Sequence, residues 1–121
     1  METIPNEYSI EATGDACVGD EVAFEQAMFA GSFRKPKFIG TRIVTGKIIK
    51  DSYGAEKQQH TFTLLLPDGS KMRIKGRNLY RNGLYRKPWA DESARWAALE
   101  EKHARGEAAR EAREWRKQWL A

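Results

Sequence analysis

One cysteine, Cys17, stands in 121 residues, so the chain cannot close a disulfide on itself. Only two histidines accompany it, His60 and His103, too few and too scattered for a structural zinc cluster. No apolar run approaches the roughly 18 residues of a membrane span. The opening METIPNEYSIEATGD has neither the basic nor the greasy region of a secretion signal. P-loop, GxGxxG, HExxH and Ser-His-Asp patterns are all missing. These absences predict a reduced, cytoplasmic protein that is not an enzyme and holds no metal or cofactor.

Positive charge is also absent from the first 25 residues, which carry seven acids and no Lys or Arg. Residues 26–89 reverse this, with fourteen Lys and Arg against Asp51, Glu56 and Asp68. Residues 90–121 hold seven charges of each sign. The formal net charge of +4 therefore hides an acidic head on a basic body. Blocks of one sign create long-range fields and choose partners.

What remains is ordinary globular material, 40% apolar and 31% charged, in an amount that fits one domain. Residues 1–18 read either as a mobile acidic tail or as an edge strand through Tyr8 and Ile10. Val22 and Phe24 alternate with polar or small neighbours after the Gly19-Asp20 turn, as in a half-buried strand. Gln26 to Gly40 is punctuated by Gly31 and Pro36 and reads as a long loop anchored by Phe29, Phe33 and Phe38. TRIVTGKIIK (41–50) is β-branched and reads as a strand, with Gly46 at a bulge or bend. His60, Phe62, Leu64 and Leu66 share one face of the next strand, and Pro67-Asp68-Gly69-Ser70 turns it into KMRIK (71–75). A short helical turn then returns Leu79 and Tyr80 to the sheet, before a last short strand near Leu84-Tyr85.

From Pro88 the pattern becomes helical, with Asp91-Glu92-Ser93 at the start. Trp96, Leu99 and His103 share a face, whereas Trp115 and Trp119 fall on another, so a break near Gly106 is expected. Asp91–Arg95 and Glu101–Arg105 are spaced as surface i,i+4 pairs. Trp115 and Trp119 either pin the last helix to the sheet or form an interface for a partner helix.

The succession GDEVAF, RIVTGKIIKD, HTFTLLLPDG and KMRIKGRNLY resembles the Tudor/KOW-like branch of SH3-like barrels, over residues 19–85. The DSYG, QHTF and KGRNLY segments are also similar to small uncharacterised proteins of phages and other mobile elements. The expected fold is α+β: a small, strongly bent antiparallel SH3-like barrel over 19–88, followed by a C-terminal helical arm over 89–121.

The functional signal is cationic side chains interleaved with aromatic ones. Arg34, Lys35 and Lys37 accompany Phe33 in the expected loop. Arg73, Lys75 and Arg77 recur at spacing two, with Arg81 beyond them. Cations neutralise phosphate and release counterions, while aromatic faces stack bases. Hence the expectation is a DNA- or RNA-binding surface of weak sequence preference, with Phe33, Tyr53 and Tyr85 as stacking faces. The alternative is a phage-type protein that inhibits a host nucleic-acid-handling complex, such as a defence nuclease, in the manner of an anti-CRISPR. The acidic head then either solubilises the chain or covers its cationic face.

Overall fold

A computed structural model describes residues 3–53 and 60–120. Six antiparallel strands curl into a half-barrel, and a helix follows them, so the class is α+β. In chain order these are β1 (Ile10–Glu11), β2 (Glu21–Ser32), β3 (Lys35–Tyr53), β4 (His60–Leu65), β5 (Lys71–Lys75), α1 (Gly76–Leu79), β6 (Leu84–Arg86) and α2 (Glu92–Leu120). Across the sheet the order is β1-β6-β2-β3-β4-β5. This curled antiparallel sheet is compatible with an SH3-like barrel.

Alternation builds the inner face. Val22 and Phe24 from β2, Phe62 and Leu64 from β4, and Ile74 from β5 meet Val44 and Ile48 of β3. Leu79, at the end of the α1 turn, is fully buried and belongs to this core, with Tyr80 packed against it, as the sequence suggests. The Pro67–Ser70 connection is a tight turn, with Leu66 N–H donating to Ser70 O at 2.8 Å and Gly69 at a positive φ of 87°.

Gln26 to Gly40 is no loop. β2 and β3 stay paired from Glu21↔Lys47 to Ser32↔Lys35, turning through Phe33 and Arg34. Gly31 and Pro36 do not interrupt the strands but face one another across this pairing. A two-stranded ribbon has only edge strands, which tolerate proline. The register shifts lie at Met28/Phe29 and at Ile48/Lys50 rather than at Gly46. Gly46 instead permits close strand approach, since a Cβ there would stand 3.1 Å from the Leu65 carbonyl oxygen.

Core packing begins before residue 19. β1 pairs with β6 through Ile10↔Arg86 and Glu11↔Tyr85. Ala12 N–H donates to Leu84 O at 2.8 Å, and both Ala12 and Ala16 belong to the core cluster. At the other end, α2 runs unbroken through Gly106, so the expected break is absent. Its start is capped by Asp91, whose carboxylate accepts from Ser93 N–H at 2.9 Å. Its buried face is Arg95, Leu99 and Lys102, whereas Trp96 and His103 are exposed. The face expected from apolar spacing is displaced because two cations find partners inside.

Candidate functional site

The curl brings β2 opposite the β5–α1 segment, although β3 and β4 lie between them in the sheet. A groove of about 450 Å³ forms there. Arg73 and Lys75 line it from β5, Arg77 from α1, and Arg81 from the turn that follows. All four are exposed. Their placement follows from local rules: Met72 and Ile74 turn to the core, so Arg73 and Lys75 alternate outward. The opposite wall is Glu25, Gln26, Ala27 and Phe29, and Asn78 and Asn82 add amide groups. Four cations against one carboxylate make the groove electropositive, and the amides can donate hydrogen bonds.

Phe29 links this groove to the β2–β3 ribbon. Among the described residues, no third strand pairs with the ribbon from Gln26↔Arg42 to its turn. The paired stretch from Gln26 to Ser32 spans roughly 20 Å at about 3.3 Å per residue. Gln26 braces its base by accepting from Arg42 Nε and Nη2 at 3.1 and 2.8 Å. Phe29 and Phe38 oppose one another with ring centroids 5.9 Å apart, edge to face. At the turn, Phe33 is fully exposed, and Arg34, Lys35 and Lys37 beside it are exposed as well. Ser32 Oγ accepts from Lys35 N–H at 3.2 Å and helps to close the turn.

The structure thus gathers Arg73, Lys75, Arg77 and Arg81 in one groove and sets Phe33, Arg34, Lys35 and Lys37 at the end of a ribbon rooted in it. It does not bring Tyr85 to them. Tyr85 is half-buried in a separate depression with Thr3–Asn6, Tyr8 and Ser9, and only Glu25 lines both. The side chains of Tyr53 and Trp119 lie outside the described residues. Trp115 is 60% exposed on α2, which does not fit the pinning role. Sequence reasoning missed Phe29, Gln26, Asn78 and Asn82. The two phenylalanines straddling Ser32-Phe33-Arg34-Lys35 were the available sign of a hairpin.

Other charges are structural. Asp20 is fully buried, and its carboxylate accepts from Arg95 Nε (2.8 Å) and Nη2 (3.0 Å), Trp89 Nε1 (2.8 Å) and Cys17 N–H (3.1 Å). Burial opposes the charge on Arg95, but Asp20 outweighs it and raises the guanidinium pKa. Burial, with Asp20 beside it, pushes the Cys17 thiol up to about 11, so it is a poor nucleophile. Arg86 makes a two-pronged pair with Glu92, and with Trp89 N–H this holds the Glu92 carboxyl down at about 2. Lys102 Nζ donates to Ala16 O at 2.6 Å, and burial lowers its pKa.

Asp51 accepts from Arg105 Nη1 at 2.8 Å and stands 3.5 Å from His60 Nε2. His60 and Arg105 hold its carboxyl at about 2 against the upward push of burial. Arg95 and Arg105 therefore reach the sheet end, through Asp20 and Asp51. In the acidic head, Asp15 lies 3.5 Å from Arg95 and Glu7 3.8 Å from Lys87. Neither lines the groove. Among the described residues, no group of three or more His, Cys, Asp or Glu converges as metal ligands. Among the same residues, no helix is long and apolar enough to cross a membrane.

Residues 17–89 match a family model described as a domain of unknown function (DUF7699), and the chain belongs to that family. The matched segment begins at Cys17 and ends at Trp89, both of which donate to the Asp20 carboxylate. The chain is also similar to zinc finger CCCH domain-containing protein 62 of Oryza sativa subsp. japonica, at 43% identity over 121 aligned positions. That alignment takes in 88% of this chain and 17% of the rice protein, so the chain spans about a sixth of that relative. With one cysteine, this chain cannot furnish a Cys₃His zinc site itself. No solved structure matches.

Proposed function

We propose that this domain is a non-enzymatic nucleic-acid-binding module of weak sequence preference, used in the manner of Tudor/KOW-like SH3 barrels. One observation carries the reading: Arg73, Lys75, Arg77 and Arg81 converge on a groove whose other wall ends in an aromatic side chain. Guanidinium and ammonium groups spaced along a groove follow a phosphate backbone, and they carry no base readout of their own. The amides of Asn78 and Asn82 supply further contacts to phosphate or sugar. The separate hairpin cations Arg34, Lys35 and Lys37 extend the positive surface. A mobile-element inhibitor of a host complex would present the same surface, but no specific observation favours it.

The test is the triple variant Arg73→Glu/Lys75→Glu/Arg77→Glu. These side chains are exposed, so the fold should survive with small surface costs. Circular dichroism and melting should match the parent while binding of a generic oligonucleotide is lost. A folded triple variant that binds as tightly as the parent would remove the groove from the account.

A further inference from the structure

The β2–β3 ribbon has two unlike faces. Residues opposed across an antiparallel ladder project to the same side, and successive pairs alternate. Phe29↔Phe38 and Gly31↔Pro36 therefore share one face. Ala30↔Lys37 and Ser32↔Lys35 share the other. One side is aromatic and flat, because Gly31 adds no side chain next to Pro36. Its φ of 93° and a Cβ position only 2.9 Å from Lys35 O disfavour any other residue there. The other side is small and cationic. Phe33 caps the end, fully exposed, while Phe29 and Phe38 remain 59% and 58% exposed.

Three exposed phenylalanines on a ribbon that nothing else in the described chain covers are unexpected on a surface built only for solvent. Their position narrows what could cover them. Phe29 belongs at once to the aromatic face and to the cationic groove, so an occupant of both must be anionic along its length and offer flat apolar faces at intervals. Single-stranded nucleic acid has that alternation with its bases unpaired and accessible. A duplex presents its phosphates but hides the base faces in the stack.

Deepening the nucleic-acid reading on which it rests, we propose that the ligand is a single strand whose backbone follows the Arg73–Arg81 groove and whose bases stack on the ribbon's Phe29/Phe38 face and on Phe33. Lys35 and Lys37, on the reverse side, attract phosphates that pass the ribbon's edge. Because each base has a π-face, such stacking is tolerant of sequence.

The experiment uses the full chain and two fluorescently labelled probes, a thymidine or uridine strand of about 12 nucleotides and a blunt DNA duplex of the same length, a size within the usual single-strand site range. Anisotropy titrations at low salt should show the strand bound at least about tenfold more tightly than the duplex. Phe33→Ala should weaken strand binding by roughly 5- to 150-fold, the usual loss for one stacked base, and leave duplex binding unchanged. Phe33→Tyr should retain the parent affinity and Phe33→Leu should not, which separates ring stacking from apolar contact; circular dichroism verifies that each variant is folded. Equal or tighter duplex binding, or unchanged strand affinity in folded Phe33→Ala, overturns the single-strand inference while leaving the groove's role in nucleic-acid binding standing. Binding to neither probe type at low salt overturns both.

Discussion

Asp20 shows at the scale of one residue how charge can be used for architecture. Its carboxylate is buried and receives five hydrogen bonds from Cys17, Trp89 and Arg95, the Cys17 thiol included, and thereby fastens the start of β2 to the start of α2. Gly19 makes room for this arrangement, since a Cβ there would lie 2.6 Å from the Trp89 ring. Removing one member of a buried pair strands the other charge in a poorly solvated place. Asp20→Ala should therefore cost about 3–5 kcal/mol, and combining it with Arg95→Met should cost much less than the sum of the two. Urea midpoints of the parent, both single variants and the double variant measure this, and additive losses would deny the coupling. Asp51 carries the acid sensitivity. Its folded value of about 2 lies below the ordinary 3.8, so its stabilisation is complete above about pH 4 and is lost as pH falls toward 2. Melting of parent and Asp51→Asn across that window should show a gap of about 2 kcal/mol near neutrality that closes with acid. None of these partners was legible in the sequence. Spacing along one helix suggested neighbours for Arg95 and Arg105, whereas Asp20 and Asp51 lie 75 and 54 residues away in the chain.

Strand alternation was the most legible feature at the scale of elements. It located β4 and β5 within a residue or two and set Arg73 and Lys75 outward, because the period of two in KMRIK and HTFTLL depends only on which face is buried. The ribbon was not legible, because Gly31 and Pro36 punctuate a loop and an edge-stranded hairpin alike. The course of α2 failed differently. Apolar spacing chose Trp96 and His103 as its inner face, but Arg95 and Lys102 go inside because Asp20 and the Ala16 carbonyl receive them. Two truncations separate the elements that hold the fold from those that extend beyond it. Deleting residues 1–18 removes β1, the core residues Ala12 and Ala16, and the acceptor of Lys102, and should unfold the domain or cost several kcal/mol. Ending the chain after Gly106 removes a stretch of α2 whose described side chains are all exposed. It should lower the helical circular-dichroism signal while leaving the melting point nearly unchanged. If the first truncation melts like the parent, the N-terminal segment is an appendage after all.

Seen as a whole, the molecule divides its charge by role. Asp15, Asp20 and Asp51 secure the sheet to α2 through Arg95 and Arg105, and Arg86 holds Glu92 at the helix start. The exposed cations of β5, α1 and the following turn are left to line the groove. The charge blocks were visible in the sequence, and so was the small curled antiparallel fold. The division between buried and exposed cations was not, because the same residue types serve both and only the curl of the sheet sorts them. The central claim is that the exposed set neutralises phosphate, and counterion release gives it a direct measure. The affinity of the full chain for a generic oligonucleotide should be followed across a range of salt concentrations. At about 0.7–0.9 per phosphate contact, a plot of log K against log salt should be linear with a slope of about −3 to −5. A slope near zero, or no binding at low salt, would contradict the account.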